Sequence, residues 1–314
     1  MSPCLPSSIV IATRERPELL RASLDAAHLA MVGLDTEYIV VDQSRDDRSR
    51  TVCAPHPDVR YLHSRHVGIS FNRNRGAEAA GGEWLLFLDD DTVLADGFGG
   101  ELRRVLGRSE PVQLVAPLYL DPAGQPLADV VRDRPTQIGA TSLWSAWGLC
   151  MIVKREAFLR IGGFNEDLGV GCRWGSAEDQ DLTLRLIDAG YRCVVEPSLV
   201  VTHPRAAEGG RGSRRRAYRY GLGIGAFFRL HVLRSGDPAW RRQARSFMLH
   251  PLWEIVHGPA RRRTTLRGVE FLGRWLGLLL GPTPPYAGGR IGHSAACIRA
   301  LAKSRTRSMG SVHG

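Results

Sequence analysis

The 314-residue sequence lacks several features that define common classes of protein. Its six cysteines include no Cys-x-x-Cys pair, so nothing predicts a zinc site or a disulfide framework, and a reducing compartment is the simpler expectation. No stretch approaches the roughly 20 apolar residues that span a bilayer, and no charged region precedes the short apolar run near the N-terminus. We therefore expect a cytoplasmic protein, soluble or peripheral at the inner face of the cell membrane.

The sequence motifs of several enzyme classes are also absent. There is no Gly-x-x-x-x-Gly-Lys-Ser/Thr phosphate loop and no Gly-x-Ser-x-Gly nucleophile elbow. The composition, 43% apolar and 24% charged, is that of a globular chain with a substantial core.

Charge is distributed unevenly along the chain. Residues 1–202 carry 21 basic and 28 acidic side chains, a balance of −7. Residues 203–314 carry 21 basic and 4 acidic side chains, a balance of +17, which accounts for the net charge of +10. This asymmetry predicts an acidic catalytic part followed by a basic part that meets a polyanion.

Short apolar runs alternate with amphipathic segments in the first third of the chain. Helices are predicted after Pro17 and over Gly68–Ala80. The predicted strands are Ser8–Thr13, Glu37–Asp42, Val59–Leu62 and Glu83–Leu88. The alternation indicates an α/β fold with a parallel sheet and right-handed crossovers, whose ligands bind beyond the carboxyl ends of the strands. Asp42 and Asp89 to Asp91 lie at two such ends.

The second part of the chain has fewer clear signals. Pro111–Asp133 predicts an irregular hairpin or loop, and Ala177–Ala189 predicts a helix. The short strands expected here are Leu149–Val153, Arg192–Glu196 and Leu199–Thr202. Beyond Pro204 we expect a flexible basic loop at Gly209–Arg216, then helices near Ala217–Arg234, Trp240–His257 and Thr265–Leu280. The expected domains are a catalytic domain at 1–205, with its halves divided near residue 95, and a basic helical extension at 206–314.

Three adjacent carboxylates, Asp89, Asp90 and Asp91, are the strongest local signal. Like charges packed together repel, so the cluster is costly unless a positive group lies among them. A divalent cation with hard oxygen ligands, completed by diphosphate oxygens, removes that cost. The alternative is a solvated acidic turn in which Asp91 caps the next element. The buried strand directly before the triplet and the carboxylates downstream favour a metal.

Six segments in the first two-thirds of the chain, in order, resemble the family 2 glycosyltransferases. The donor-half segments are Ile9–Pro17, Ile39–Ser44, Gly68 with Arg73–Gly76, and Phe87–Asp91. The acceptor-half segments are Ile161–Glu166 and Glu178–Leu182 with Arg185. The Asp-x-Asp element alone is a weak signal, but six ordered segments are a strong one. The resemblance implies the α/β GT-A fold, a Rossmann-like, mostly parallel sheet flanked by helices. It places a donor half near 1–95 and an acceptor half near 96–205.

The resemblance also implies a nucleotide and metal site. Asp91 matches the direct ligand of Mg²⁺ or Mn²⁺, with Asp89 beside it, and His203 matches a histidine that completes the metal shell or contacts phosphate. Asp89 or Asp90 would contact ribose or a water molecule. The remaining residues implied to contact the nucleotide sugar are Asp42 at the nucleobase, Thr13, Arg14 and Arg16 lining that pocket, and Arg73 at the diphosphate.

Asp179 matches the acid proposed as general base in that family. The alternative is an acid at a helix N-terminus stabilised by the helix dipole, a role that Glu178 could fill equally well. Catalysis is favoured because a sugar hydroxyl that attacks the anomeric carbon needs a carboxylate on the acceptor side. One base and one face of attack imply inversion. Asp181 is expected to cap or brace the same helix, and Arg185 to pair with one of these acids.

These residues predict a metal-dependent inverting glycosyltransferase that moves one sugar from a UDP- or dTDP-sugar to a glycan or glycolipid hydroxyl. One alternative is a sugar-nucleotide pyrophosphorylase, although its glycine-rich N-terminal loop is missing from Ile9–Pro17. A second is a nucleic-acid-binding protein that uses the arginine-rich tail, although the acidic core would repel a polyanion. A third is an inactive scaffold, against which the intact acids and His203 argue.

The basic C-terminal third allows two interpretations. Tryptophans, including Trp275, lie among many arginines in amphipathic helices, as is typical of a membrane interface that attracts basic residues through anionic headgroups. Docking on the cytoplasmic leaflet would bring the active site to a lipid-linked acceptor. The alternative is that the same apolar stripes pack on the catalytic core and leave the arginines solvated.

Overall fold

The computed structural model describes residues 6–127, 134–139, 142–203, 214–231, 238–257 and 261–282. In these ranges nine strands form one sheet in the order β3-β2-β1-β4-β8-β6-β9-β5, with β7 also paired to β9. The strands are β1 (Ser7–Thr13), β2 (Thr36–Asp42), β3 (Val59–His63), β4 (Trp84–Asp89), β5 (Val93–Leu94), β6 (Leu114–Leu120), β7 (Thr136–Gln137), β8 (Cys150–Lys154) and β9 (Cys193–Thr202).

Helices flank this sheet and extend beyond it. They are α1 (Pro17–Ala30), α2 (Arg48–Cys53), α3 (Ile69–Ala79), α4 (Phe98–Leu106), α5 (Arg155–Arg160), α6 (Glu178–Asp188), α7 (Arg214–His231), α8 (Pro238–His257) and α9 (Arg261–Leu280). The mixed α/β architecture predicted from the sequence is confirmed.

The donor half is a parallel sheet made of β3, β2, β1 and β4. Ile9, Val10 and Ile11 of β1 are fully buried, as expected for a central strand covered by helices on both faces. The register places Thr13 beside Asp42 and Ala12 beside Asp89. The carboxyl ends of three neighbouring strands therefore meet at one edge of the sheet.

The acceptor half continues the same sheet with a change of direction. Strand β8 runs antiparallel to β4, and β6 runs parallel to β9. The prediction of a loop or hairpin over Pro111–Asp133 is wrong for Leu114–Leu120, which is a mostly buried strand. Pro117 suggested a break, but the register between β6 and β9 shifts directly after it, and such an irregularity tolerates a proline. Residues 128–133 lie outside the described residues.

A second prediction is wrong at strand β9. The two short strands expected at Arg192–Glu196 and Leu199–Thr202 are one ten-residue strand. The register shift lies within it, since Pro117 pairs with Glu196 and Leu118 pairs with Val200. Pro197 therefore falls in the irregularity and does not end the strand.

Helices α7 and α9 pack closely through glycines. A Cβ added at Gly225 would overlap the Arg274 carbonyl oxygen, and one at Gly277 would overlap the Leu222 carbonyl oxygen. Because glycine has no Cβ, the two backbones can come into contact along this face. The prediction of a loop through Arg216 is wrong for Arg214 to Arg216, which begin α7. Residues 209–213 lie outside the described residues.

Helix α7 also packs against the acceptor half. Ser176 Oγ donates to the Tyr220 carbonyl oxygen at 2.8 Å. The Trp144 ring stacks on Phe247 of α8, with centroids 4.0 Å apart, and meets Phe227 of α7 edge to face. In the described part of the chain, none of the helices has the length and apolarity needed to cross a membrane. The expected domain boundary near residue 205 stays a prediction.

Candidate active site

The candidate site begins where β4 ends. Asp89 is the last residue of β4, and the chain then forms the short strand β5, which runs antiparallel to β9. Val93 pairs with Thr202, so His203 is brought back beside the acidic triplet. The His203 Nε2 atom lies 3.3 Å from Asp91 Oδ1. Two predicted metal ligands that are 112 positions apart in the chain are therefore neighbours.

Asp90 points inward and holds the loop after β1. Thr13 Oγ1 donates to Asp90 Oδ2 at 2.7 Å, and Arg16 Nη1 lies 3.1 Å from Asp90 Oδ1 and 2.9 Å from Asp91 Oδ2. Burial, assisted by the neighbouring carboxylates, raises the pKa of Asp90 to about 6 although Arg16 and Thr13 oppose it. Thr13, Arg16, Asp90 and Asp91 are thus one connected network.

Arg73 on α3 links the two halves of the site. Its side chain is 1% exposed, and Nη2 lies 2.5 Å from Asp89 Oδ1 and 2.6 Å from the Gly148 carbonyl oxygen, while Nη1 lies 3.3 Å from Glu178 Oε1. A Cβ at Gly148 would lie 2.9 Å from Arg73 Nη1, so the glycine makes room for the guanidinium. The expected contact of Arg73 with a diphosphate stays a prediction. Its polar contacts in the structure are with two acids and one carbonyl.

Asp179 lies in the first turn of α6, facing the segment before β8. The Gly148 N–H donates to Asp179 Oδ2 at 2.7 Å, and the Gln180 N–H donates to Asp179 Oδ1 at 2.9 Å. Burial raises the pKa of Asp179 in spite of these hydrogen bonds. Burial and the adjacent Asp179 also raise the pKa of Glu178, to about 7. Gly148 therefore connects Arg73, through its carbonyl, with Asp179, through its N–H.

Two strained residues flank the site. Glu15 in the loop after β1 has φ of 56°, and Ala177 directly before α6 has φ of 70°. Left-handed conformations of residues other than glycine cost of order 1 kcal/mol or more and concentrate at functional sites. The Glu15 N–H donates to Ser44 Oγ at 2.7 Å, which helps to hold the first of them.

Asp42 and Arg14 lie beside this network, at the carboxyl ends of β2 and β1. Asp42 is fully buried, and its carboxylate accepts from the Ser44 N–H and the Tyr61 hydroxyl, both at 2.8 Å. The Nε atom of Arg14 is buried without a hydrogen-bond partner. Both residues follow or end strands at the expected edge, and their contacts with a nucleotide stay predictions.

Asp181 braces the helix that carries Asp179. Arg185 Nη2 lies 2.6 Å and His231 Nε2 lies 2.8 Å from the Asp181 carboxylate. Burial alone would raise the pKa of Asp181, but these two partners lower it to about 2. Arg185 also donates to the carbonyl oxygens of Ile161 and Gly163. The expected bracing by Asp181 and pairing of Arg185 are both present.

Sequence reasoning missed three participants. Glu178 was considered only as a helix-dipole acid, Gly148 was not considered, and His231 was expected only within a helix. Each acts through a partner far away in the chain, so local pattern carries little signal for it. The acidic run Glu178–Asp181 was the one local indication.

The donor set at Asp91 and His203 fits a divalent cation. Two ligands at right angles in an octahedral shell, each about 2.0–2.2 Å from the ion, lie about 3 Å apart. This is close to the 3.3 Å between His203 Nε2 and Asp91 Oδ1. Asp89 Oδ1 pairs with Arg73, and the expected role of Asp89 as a third ligand stays a prediction. Burial raises the pKa of Asp89 although Arg73 opposes this. The three carboxylates outnumber the two arginines that contact them, Arg16 and Arg73. A further positive charge, such as that of a metal ion, would therefore be favoured there.

Comparison with protein families agrees with this arrangement. The profile described as "Glycosyl transferase family group 2" matches residues 84–275, and that described as "Glycosyl transferase family 2" matches residues 8–158. The chain belongs to glycosyltransferase family 2. The first match includes the acidic triplet and Asp179 and ends at residue 275, within α9.

Curated relatives are similar over part of their length. The succinoglycan biosynthesis protein ExoO of Rhizobium meliloti is 34% identical over 215 residues, covering 61% of this chain and 58% of that protein. The pre-mycofactocin glycosyltransferase of Mycobacterium tuberculosis is 32% identical over 162 residues, covering 47% of this chain and 33% of that protein. The chain thus spans between about a third and three fifths of these relatives.

Solved structures support the GT-A fold. The mannosyltransferase PcManGT from Pyrobaculum calidifontis, in complex with GDP-Man and Mn²⁺, aligns with a TM-score of 0.58 at 17% identity. The alignment covers 96% of this chain and 80% of that one. The family 2 glycosyltransferase described here therefore has the GT-A fold that its sequence segments predict.

Proposed function

We propose that this protein is a metal-dependent, inverting glycosyltransferase that moves one sugar from a UDP- or dTDP-sugar to a hydroxyl of a glycan or glycolipid. The observation that carries the proposal is the Arg73 bridge. It joins Asp89, at the proposed donor and metal side, to Glu178, adjacent to the proposed base Asp179. One buried arginine thereby holds a carboxylate on the proposed donor side and a carboxylate on the proposed acceptor side.

The donor side is proposed to hold Mg²⁺ or Mn²⁺ together with the nucleotide sugar. Asp91, His203 and Asp89 would hold the ion, which when bound supplies positive charge against the charge that grows on the departing diphosphate. Thr13, Arg14, Arg16 and Asp42 would line the nucleotide pocket. Among solved relatives, PcManGT was determined with GDP-Man and Mn²⁺, which supports this class of donor and metal.

The acceptor side is proposed to remove one proton. The acceptor oxygen attacks the anomeric carbon, its proton passes to the Asp179 carboxylate, and the bond to the diphosphate breaks. Each Asp179 oxygen accepts one backbone N–H, which leaves a lone pair for the hydroxyl proton. The raised pKa makes the carboxylate a stronger base than an exposed aspartate, provided that the pH is high enough to ionise it.

The activity can be tested with a panel of nucleotide sugars in the presence of Mn²⁺. True donors should raise the thermal midpoint by mass action, and their turnover should release a nucleoside diphosphate. Release of pyrophosphate would instead support the pyrophosphorylase alternative. Stabilisation by none of the nucleotide sugars, with or without metal, would contradict the proposal.

We also propose that the extension docks on an anionic membrane surface of the cytoplasmic leaflet. Helix α9 buries one face against α7 and exposes large apolar side chains on the other, with Leu272 54%, Trp275 39%, Leu279 62% and Leu280 66% exposed. Leu272, Trp275 and Leu279, spaced three and four residues apart, share one helical face, and Leu280 lies next to it. The balance of +17 after residue 202 would add attraction to anionic headgroups.

Vesicle flotation tests the docking proposal. The protein should float with anionic vesicles, and Leu272→Ser with Leu279→Ser should abolish flotation. Leu29→Ser is the matched control, because Leu29 on α1 is 75% exposed and lies outside the extension. Failure of the wild-type protein to float, or equal loss in the control, would contradict docking through α9.

A further inference from the structure

Two histidines and one aspartate meet on the donor half, away from the proposed active site. His28 lies near the end of α1, and His56 and Asp58 lie between α2 and β3. The ligand atoms of the three side chains all lie within 4.8 Å of one another. Asp58 precedes the amino end of β3, whereas the acidic triplet follows the carboxyl end of β4 in the same parallel sheet. The two sites are therefore at opposite edges.

His28 is held in one orientation. Its Nδ1 lies 2.9 Å from the Leu24 carbonyl oxygen one turn earlier, and its ring stacks on Tyr38 with centroids 4.0 Å apart. A carbonyl oxygen only accepts hydrogen bonds, so Nδ1 carries a hydrogen. Metal-bound histidines characteristically donate their other ring N–H in this way. Nε2 is left 3.0 Å from Asp58 Oδ2.

This contact needs a positive charge. In neutral His28 with hydrogen on Nδ1, Nε2 and the carboxylate of Asp58 both offer lone pairs and would repel at 3.0 Å. Either a proton on Nε2 or a metal ion removes the conflict. A proton would satisfy this pair, but it gives no reason for a second imidazole close by.

His56 is that second imidazole. Its ring stacks against His28 with centroids 4.8 Å apart and an angle of 20° between the planes, and its Nε2 lies 3.6 Å from Asp25 Oδ1. Two protonated rings at this separation would repel, whereas a metal ion binds both in the neutral form. The carboxylates of Asp58 and Asp25 add negative charge around the same point.

We propose that His28, His56 and Asp58 bind a Zn²⁺ ion, with solvent completing its coordination. Zn²⁺ takes nitrogen and oxygen ligands at about 2.0–2.2 Å, which puts neighbouring ligand atoms about 3.4 Å apart. Small side-chain adjustments bring His28 Nε2 and Asp58 Oδ2 from 3.0 Å to that separation. The ion ties α1, which directly follows the loop of Thr13 and Arg16, to the turn before β3. This site is independent of the proposed transferase function.

Calorimetric titration of chelator-treated protein with Zn²⁺ tests the site. The full chain carries Asp91→Ala, so that binding at the proposed catalytic centre is weakened. We expect one equivalent to bind, with affinity reduced about tenfold or more by adding His56→Ala or Asp58→Asn, since even loss of an outer partner costs 10–100-fold. His63→Ala is the matched control, because His63 is an exposed histidine of the same half, and it should leave the affinity unchanged.

Two further readouts separate ligand loss from misfolding. Asp58 is half-exposed, so Asp58→Asn should keep the metal-free circular dichroism spectrum and thermal midpoint. At the same concentration, Zn²⁺ should raise the midpoint of the Asp91→Ala protein more than that of its Asp58→Asn derivative. Equal Zn²⁺ affinity with and without His56 and Asp58 would overturn the proposal and leave a protonated His28 paired with Asp58.

Discussion

The acidic triplet Asp89–Asp91 and the acidic run Glu178–Asp181 use the same residue types in opposite ways. In the triplet, neighbouring carboxylates share Arg16, and His203 lies against Asp91, so negative charge accumulates at one point. In the run at the start of α6, the three acids have different partners. Glu178 faces Arg73, Asp179 accepts backbone N–H groups, and Asp181 is paired with Arg185 and His231.

The pKa values of acids in the two groups reflect this difference. Burial raises the pKa of Asp90 to about 6, whereas Arg185 and His231 overcome burial and lower the pKa of Asp181 to about 2. Accumulated charge suits the proposed cation and diphosphate. Separated charges leave Glu178 to pair with Arg73, Asp179 for the proposed role of base, and Asp181 to brace the helix. Arg73 contacts an acid of each group. Substitutions in either group, or at Arg73 itself, therefore test the difference between them.

The largest expected effect is on turnover in Asp179→Asn. The amide cannot accept the acceptor proton, so the transfer rate should fall by about 10²–10⁴-fold, while Mn²⁺-dependent binding of the nucleotide is retained. Steady-state rates and calorimetry on the same preparation measure the two quantities. Asp188→Asn, at the exposed end of the same helix, is the control and should leave both unchanged. Normal turnover in Asp179→Asn would assign the base elsewhere.

Substitution of Arg73, which contacts acids of both groups, should mainly lower the free energy of unfolding. Arg73→Met leaves Asp89 and Glu178 without their buried cation, and breaking a buried pair typically costs about 3–5 kcal/mol. Denaturant unfolding measures the loss. If Arg73 served only to bind a diphosphate, the unfolding free energy without ligand would stay unchanged and nucleotide affinity alone would fall.

Asp181→Asn tests the bracing role through its pH dependence. Because the folded pKa is lowered from 3.8 to about 2, the carboxylate contributes stability above about pH 4 that is lost as pH falls towards 2. The variant should therefore be about 2 kcal/mol less stable than wild type at pH 7, with the difference shrinking below pH 4. A difference that does not change between pH 7 and pH 3 would show that the charge of Asp181 is not the cause.

The smallest expected effect comes from loosening α7, which carries His231. Gly225→Ala places a methyl group against the backbone of α9 and should cost about 1–3 kcal/mol by overpacking. Gly100→Ala on α4 is the control, because a Cβ there meets no atom within 4 Å. Equal thermal midpoints for the two variants would mean that the contact between α7 and α9 does not need glycine.

Local pattern predicted the first half of the protein well. Apolar runs such as Ile9–Ile11 and Leu85–Leu88 are long enough to indicate buried strands, and the acids directly after them mark the ligand edge. The strand Leu114–Leu120 was missed because prolines indicate irregular structure locally, while pairing with β9 decides the outcome.

The site depended on contacts that no local pattern contains. Arg73 and Glu178 are 105 positions apart, and His231 is 50 positions from Asp181. The order of segments shared with the family placed Arg73, Asp179 and His203 among the candidates. It did not indicate that Arg73 is a buried link, because that follows from the packing of α3, α6 and the segment before β8.

Calorimetry of UDP and dTDP with and without Mn²⁺ tests most directly whether the triplet is a metal and diphosphate site. We predict that wild type and Asp179→Asn bind one of these nucleotides tightly only when Mn²⁺ is present, and that Asp91→Ala loses the Mn²⁺-dependent part of the affinity. Equal affinity in the presence and absence of Mn²⁺, unchanged by Asp91→Ala, would contradict the account.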